Sequence, residues 1–144
     1  SRVVLDQQRA MRLGIVEPDD NVESASDVRQ TISIPASITS AKLRFWLYAL
    51  SGDDKPFVLN EEASLETIIQ DAQYVIVRDE QGVWIETLFW ECQDIPVWIF
   101  YERDLSAYAG QMITLQFGVA NDGLGGITAM YLDAVSLKVC VPVP

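Results

Sequence analysis

The chain has 144 residues, the length of one domain that can bury a core of its own. Its 10 basic and 21 acidic residues give a net charge of -11, which repels phosphate backbones and anionic membrane surfaces and so argues against nucleic-acid binding. The sequence contains no histidine, which excludes catalytic triads built on Ser-His or Cys-His and argues against most zinc sites. It also contains no run of about 18 apolar residues. We therefore expect one domain over residues 1–144 without a membrane span.

The first quarter of the chain predicts strands separated by an acidic loop. Val3 to Leu5 is a candidate short strand, and Leu13 is a candidate inward-facing position. The segment 17–26 is polar and acidic and contains turn formers, which predicts a loop. Apolar and polar residues then alternate from Val28 until Pro35 stops the pattern, and this alternation indicates a strand.

The next segment also alternates, but both of its faces are rich in apolar and aromatic residues. One face carries Leu43, Phe45, Leu47 and Ala49, and the other carries Arg44, Trp46, Tyr48 and Leu50. Such a strand lies in the middle of a sheet that is covered on both sides, or its second face carries an aromatic binding platform. The sequence leaves both interpretations open.

One passage has helical spacing. Between Asn60 and Gln70, the side chains of Leu65, Ile68 and Ile69 fall on one side, and Asn60 can cap the start. We interpret this passage as a short helix inserted in a loop. It would cover one end of the protein and turn its acidic side to solvent.

The second half of the chain predicts further strands with turns between them. They span residues 74–78, 83–91, 97–103, 112–119 and 127–137. Asp79 to Gly82 marks a tight hairpin turn between the first two of these strands. A total of roughly eight or nine strands, with a turn about every 8 to 15 residues, is typical of a two-sheet sandwich. The Val-Pro-Val-Pro sequence at 141–144 indicates the start of a stiff linker.

Several segments resemble one known family. They are Asp104-Leu-Ser-Ala-Tyr-Ala-Gly110 before a strand, Asn121-Asp122-Gly123 after it, Tyr131-Leu-Asp-Ala-Val-Ser-Leu137 near the end, and residues 29–48 earlier in the chain. Together they resemble the galactose-binding-like accessory domains of bacterial secreted and surface proteins, a superfamily that includes many carbohydrate-binding modules. The resemblance implies an all-β fold, a two-sheet antiparallel jelly-roll β-sandwich, and a secreted or cell-surface location. It does not decide function, because this fold hosts sugar binders, protein binders and plain spacers.

The function that the resemblance favours is non-catalytic glycan binding. The alternative is a structural or assembly module of a cell-surface or extracellular filament-type protein. It is motivated by the N-terminus, where we do not find the Phe-Glu-containing first strand and the glycine that are usual in the family. An incomplete sheet leaves an open edge, and a strand from a neighbouring subunit or domain can pair with such an edge.

Aromatic residues are the leading candidates for a glycan site, because the flat apolar faces of sugar rings stack on indole and phenol rings. In strand phase, Trp84 and Trp90 share a face with Glu86, and Trp98 shares a face with Glu102. The alternative is that the tryptophans belong to the core. The candidate carbohydrate-binding residues are Trp46, Trp84, Trp90 and Trp98, with Asn121 and Asp122 as polar partners for sugar hydroxyls.

The resemblance also implies a structural calcium ion beside the last strand. Asp133 occupies the acidic position of the family's Leu-Asp-x-Val-Ser-Leu pattern. The usual glutamate of the first strand is absent, so Asp6 is the candidate second ligand. Calcium takes about six to eight oxygen ligands, which carboxylates and backbone carbonyls supply. The alternative is that Asp133 bonds backbone amides at a β-bulge.

Two further groups of residues carry weaker signals. Cys92 and Cys140 either form a disulfide in an oxidising compartment or lie apart as two buried thiols. Carboxylates such as Glu91 and Asp104 are so numerous that a pair suited to glycoside hydrolysis means little. We interpret them as solvated charges and expect no enzyme activity.

Overall fold

A computed structural model describes residues 10–17, 22–52 and 71–143. The eight strands are β1 (Met11–Gly14), β2 (Glu23–Ser33), β3 (Ser40–Ser51), β4 (Ala72–Arg78), β5 (Trp84–Glu91), β6 (Ile95–Asp104), β7 (Met112–Asp122) and β8 (Thr128–Cys140). Among these residues a 3-10 turn, Ser106–Tyr108, precedes β7. Within these ranges no helix is long and apolar enough to cross a membrane. The predicted strand at 3–5 and the predicted helix at 60–70 lie outside the described residues.

The strands form two four-stranded antiparallel sheets. The first sheet has the order β1-β8-β3-β6, and the second has the order β2-β7-β4-β5. Except at the β4–β5 hairpin, consecutive strands lie in different sheets, as in an eight-stranded jelly roll. The predicted two-sheet antiparallel β-sandwich is therefore confirmed.

The core lies between the two sheets and follows from alternation along the strands. In β3 every second residue from Ala41 to Ala49 is buried, because successive side chains point to opposite faces of a strand. Phe45 is at the centre, where its ring stacks on Tyr101 and meets the ring of Phe117 edge-on, each with ring centroids 5.6 Å apart. Val75 in the second sheet is buried in the same cluster.

Strand β2 is longer than the sequence pattern predicts. It begins at Glu23, so the expected loop over 17–26 is wrong for its last part. The strand pairs with β7 from Glu23 opposite Asp122 to Ser33 opposite Met112. Because β2 is an edge strand with one face in solvent, its polar start lacks the apolar alternation by which strands are recognised.

The hairpin between β4 and β5 forms where it was predicted. The Asp79 carboxylate accepts hydrogen bonds from the backbone N–H groups of Gln81 and Val83, at 2.9 and 2.8 Å. Gly82 has a φ of 84°, a left-handed conformation that glycine adopts without a steric penalty. The turn therefore depends on the residue types at these positions.

Side chains of the second sheet pack on one another and cover part of its outer face. Tyr74 is 1% exposed and lies across Gly118 of the neighbouring strand, where a Cβ atom would overlap its ring. The Tyr74 hydroxyl accepts a hydrogen bond from the Gln116 amide at 3.2 Å, and Gln116 in turn accepts one from Arg78 at 2.6 Å. Gly118 thus provides the space in which the tyrosine ring is buried.

We expect Gly118→Ala to lower the free energy of unfolding by roughly 1–3 kcal/mol, because the added methyl group displaces a buried ring in a close-packed layer. Chemical denaturation measures the change. The matched control is the same substitution in a Tyr74→Leu background, where the overlapping ring is absent and the added cost should be smaller. An equal loss in both backgrounds would contradict the packing explanation.

Candidate binding surface

Five aromatic side chains lie together on the outer face of the first sheet. Trp46 of β3 is opposite Phe100 of β6, with ring centroids 5.4 Å apart. Tyr48 is the next outward residue of β3. Its ring centroid lies 5.7 Å from that of Trp98 and 6.0 Å from that of Tyr131. These residues, Trp46, Tyr48, Trp98, Phe100 and Tyr131, form the aromatic surface.

The aromatic surface is accessible and is not part of the core. Its residues lie on the faces of β3, β6 and β8 that point away from the buried cluster, and Phe100 is 45% exposed. Its ring pairs meet at interplanar angles of 56–89°, the tilted and edge-on contacts that aromatic quadrupoles favour. The rings therefore do not stack face to face on one another.

Charged side chains border one end of the aromatic surface. Arg44, which precedes Trp46 on the same face, donates a hydrogen bond from Nε to Glu102 Oε2 at 2.7 Å. Lys42 Nζ lies 3.5 Å from the other oxygen of Glu102. The hydrogen bond from Arg44 is the main cause that holds the pKa of Glu102 below its usual value. Glu102 therefore stays ionised at neutral pH.

The other two tryptophans form a separate cluster on the outer face of the second sheet. Trp84 stacks on Trp90, with ring centroids 5.2 Å apart and an interplanar angle of 12°. Trp90 stacks in turn on Tyr74, with ring centroids 5.3 Å apart and an interplanar angle of 24°. The Trp84 indole N–H donates to Thr87 Oγ1 at 3.0 Å. These rings cover one another's faces. The four tryptophans thus belong to two surfaces, with Trp46 and Trp98 together on the aromatic surface.

The expected position of Glu86 beside Trp84 and Trp90 is wrong. Two irregularities in the pairing of β4 with β5 shift the strand phase. As a result Glu86 is opposite Val77, which packs in the core, whereas Trp90 is opposite Tyr74 on the outer face. Bulges of this kind insert a residue and break strict alternation. Trp98 and Glu102 share one face as expected, because Trp98 contacts Tyr48 and Glu102 is opposite Arg44, and both partners lie on the outer face of β3.

Asn121 and Asp122 lie at one end of the sandwich, where they hold the loop before β8. Asn121 is fully buried, accepts a hydrogen bond from the Thr128 N–H at 2.8 Å and donates one to the Thr128 carbonyl at 3.1 Å. The Asp122 carboxylate accepts one from the Leu124 N–H. The Asn121 amide therefore already has backbone partners within the chain.

Asp71 completes this cluster as a buried carboxyl group. Its two oxygens accept hydrogen bonds from the Asp122 N–H at 2.8 Å and from Thr128 Oγ1 at 2.6 Å, and the residue is 1% exposed. Burial raises the pKa of Asp71 from its usual 3.8 to about 6, although both hydrogen bonds oppose the shift. The group therefore titrates near pH 6 in the folded protein.

Asp133 lies at a β-bulge in β8, opposite Trp46. Its Oδ1 accepts a hydrogen bond from the N–H of Ala134, which has a φ of 50°. This contact matches the interpretation of Asp133 as a backbone-bonded residue at a bulge. Its Oδ2 is buried and has no hydrogen-bond partner among the residues described. Asp6 lies outside the described residues, and those that are described contain no group of three or more potential metal ligands among Asp, Glu, Cys and His.

Cys92 and Cys140 are not joined by a disulfide. Cys92 follows β5, and its sulfur lies 3.3 Å from the Ser51 hydroxyl, whereas Cys140 ends β8. Both are half-buried. The disulfide left open by the sequence is therefore not formed, and the residues lie apart as two small side chains.

Comparisons with known proteins find only distant structural similarity. No family model and no curated protein matches the chain. The chain is similar to the solved structure of the "EclA C-terminal domain; sugar-binding protein", with 12% identity over 94% of this chain and 83% of that chain and a TM-score of 0.47. It is also similar to a structure titled "CBM4 structure and function", with 11% identity over 92% and 85% of the two chains and a TM-score of 0.49. At these values neither similarity bears on function.

Two members of the aromatic surface, Phe100 and Tyr131, were not among the candidates from the sequence. Phe100 is two residues from Trp98 and two from Glu102 along β6. Because every second residue of a strand points to the same side, strand phase places all three on one face. That signal was present in the sequence. Tyr131 lies beside Tyr48 only through the pairing of β8 with β3, which joins distant parts of the chain.

We expect folding stability to fall between pH 4 and 6 because of Asp71. An acid whose pKa is raised by folding binds its proton more tightly in the folded state, so its stabilising effect is present at low pH and is lost as pH rises through about 6. The loss should be roughly 2–3 kcal/mol. Denaturation of the wild type and of Asp71→Asn at each pH isolates the effect of this group. Parallel stability curves for the two proteins would show that Asp71 does not titrate in this range.

Proposed function

We propose that this protein is a non-catalytic, extracellular glycan-binding module and that the sugar binds on the aromatic surface. The observation that carries the proposal is the group of five outward-facing rings on the first sheet, centred on Trp46 and Tyr48. Contiguous apolar groups on a protein surface often mark binding sites.

The chemistry of the aromatic surface suits a sugar. The rings offer apolar area for the C–H faces of pyranose rings, and the phenol groups of Tyr48 and Tyr131 can donate and accept hydrogen bonds. Arg44 and Glu102 at the border add charged groups that bind hydroxyl groups in fixed directions. A surface several strands wide contacts consecutive rings of an oligosaccharide rather than enclosing one sugar.

The described acids near this surface support a role without catalysis. Glycoside hydrolysis requires a carboxylic acid that keeps its proton, together with a second carboxylate. Glu102 is paired with Arg44, and hydrogen bonds from Ser106 hold the pKa of Asp104 below its usual value. Asp71, whose pKa is raised, is buried and bonded at the end of the sandwich. An extracellular location belongs to the proposal because polymeric glycans are found there.

A second candidate function is assembly through an open strand edge. Within the described residues β8 pairs with β1 only from Ala129 to Leu132, so the following part of β8 has no partner on that side. Beside it a groove of about 660 Å³ runs between the sheets, lined by apolar side chains that include Val28, Leu115 and Leu137. A strand of a neighbouring subunit could pair there with the edge of β8.

We expect Trp46→Ala and Trp98→Ala each to weaken glycan binding about fivefold or more, because truncation of a central aromatic residue at an interface typically costs more than about 1 kcal/mol. A polysaccharide array identifies the ligand, and isothermal titration calorimetry with it measures the affinity. The matched control is Trp84→Ala, which removes an indole from the other sheet and should leave the affinity unchanged.

Other outcomes would contradict the proposal in distinct ways. A loss of binding with Trp84→Ala alone would move the site to the second sheet. Absence of binding to any glycan, together with a mass that increases with protein concentration in sedimentation, would favour assembly instead. Thermal unfolding of each variant distinguishes lost binding from lost folding.

We further propose that a calcium ion stabilises the bulge at Asp133. Supporting this, the buried Oδ2 of Asp133 is a carboxylate oxygen without a hydrogen-bond partner, and calcium prefers oxygen ligands. If so, a chelator should lower the melting temperature of the wild type by several degrees and should not affect Asp133→Asn. Calorimetry measures both, and Asp6→Asn tests the second candidate ligand. An unchanged wild-type melting temperature in chelator would rule out the ion.

A further inference from the structure

The distribution of paired and unpaired cations distinguishes the outer face of the first sheet from the rest of the described surface. Of the seven basic residues that are described, five form ion pairs or hydrogen bonds through their side chains. Arg29 pairs with Asp27, Lys42 and Arg44 pair with Glu102, Arg78 donates to Gln116 and Gly82, and Arg103 donates to Leu88 and Glu102. Arg12 and Lys138 have no such contact with any of the residues described.

These two cations lie at opposite ends of the aromatic surface. Arg12 of β1 is opposite Tyr131, and Lys138 of β8 is opposite Lys42. Both are exposed. Arg12 lies in the same row as Tyr131 and Tyr48, and Lys138 lies in the row of Lys42, six residues from Tyr48 along β3. A strand rises by about 3.3 Å per residue. The two positive charges are therefore about 20 Å apart along the face, with the aromatic rings between them.

Lys42 and Lys138 are directly opposite each other on neighbouring strands. Like charges in this arrangement are destabilising unless an anion lies near them. Glu102 lies 3.5 Å from Lys42 but also accepts the Arg44 hydrogen bond, and Asp104 accepts one from the Ser106 N–H, so three cations share these two acids. This end of the face therefore carries positive charge that the described acids do not fully neutralise, on a chain whose net charge is -11.

We propose that the ligand of the aromatic surface is an acidic oligosaccharide, with uronate carboxylates or sulfate groups that pair with Lys138 and Lys42 at one end and with Arg12 at the other. This inference rests on the proposed glycan-binding function and defines the class of glycan. The rings bind the apolar sugar faces, and the cations select for anionic groups. A neutral glycan leaves Lys138 opposite Lys42 without a counterion among the residues described.

The net negative charge of the chain does not prevent such binding. At physiological ionic strength charges more than about 8 Å apart are largely screened, whereas direct contacts between opposite charges persist. Distant acidic residues therefore slow the approach of an anionic glycan more than they weaken the bound state. An acidic peptide would meet the same cations but offers no sugar face to the rings between them.

The test begins with an array of acidic and neutral polysaccharides. Each acidic glycan that binds is measured again by calorimetry after its charge is removed, as the methyl ester of a uronate or as the desulfated form. Polyglutamate of similar length serves as the peptide probe. We expect the neutral form to bind at least tenfold more weakly, and polyglutamate to show no binding.

Single substitutions locate the charge effect on the face. Lys138→Gln and Arg12→Gln should each weaken binding of the acidic glycan about two- to fivefold, the range for exposed ion pairs. Arg29→Gln removes the same charge from the second sheet and should have no effect.

Each outcome has a separate meaning. Equal affinity for the charged and neutral forms, with no effect of Lys138→Gln, would overturn the acidic-ligand inference and leave glycan binding intact. Binding of polyglutamate as strong as that of the glycan would overturn it in favour of an acidic protein partner. Absence of any glycan binding, charged or neutral, would refute the proposed function itself.

Discussion

The structure depends on one strand, β3, whose two faces have different roles: one packs in the core and the other points outward. Alternate residues of β3 point to opposite sides of the first sheet, so Phe45 enters the core while Trp46 and Tyr48 face outward. A slip of one residue would exchange these faces and place a tryptophan where Phe45 packs against Phe117. The register is held on one side by the Arg44–Glu102 ion pair and on the other by the bulge at Ala134. Core and aromatic surface are thus fixed by the same pairing.

Polar groups close the sandwich where apolar packing ends. Arg103 of the first sheet donates a hydrogen bond to the Leu88 carbonyl of the second sheet at 2.7 Å, and its guanidinium lies over the Tyr101 ring. At another point Asp71 accepts a hydrogen bond from the Thr128 hydroxyl, and Asn121 accepts one from the Thr128 N–H. Each of these buried polar groups is costly to leave unpaired, so the contacts define one arrangement of the strands. The raised pKa of Asp71 is the electrostatic consequence of burying its carboxyl group among these contacts.

The sequence predicts those parts of the structure that depend on local residue patterns. Alternation along β3 and the hairpin at Asp79 to Gly82 are signals within a few residues, and both elements form as expected. The beginning of β2 was missed because a solvated edge strand needs no apolar alternation. The face predicted for Glu86 was wrong, because bulges that arise from pairing with β4 change which side of the sheet this residue faces. Trp46 and Trp98 could be named in advance, but their separation from Trp84 and Trp90 depends on topology.

The two aromatic clusters contain the same residue types and differ in the use of their rings. In the second sheet, Trp84, Trp90 and Tyr74 are nearly parallel, so the faces that a sugar would contact already contact each other. In the first sheet, the rings meet at steep angles, and their charged neighbours Arg44 and Glu102 are half-buried. A ring whose face is covered contributes its apolar area to folding, whereas a ring that is contacted at its edge keeps area for a ligand. The orientation of the rings, rather than the number of tryptophans, thus favours the first sheet as the binding surface.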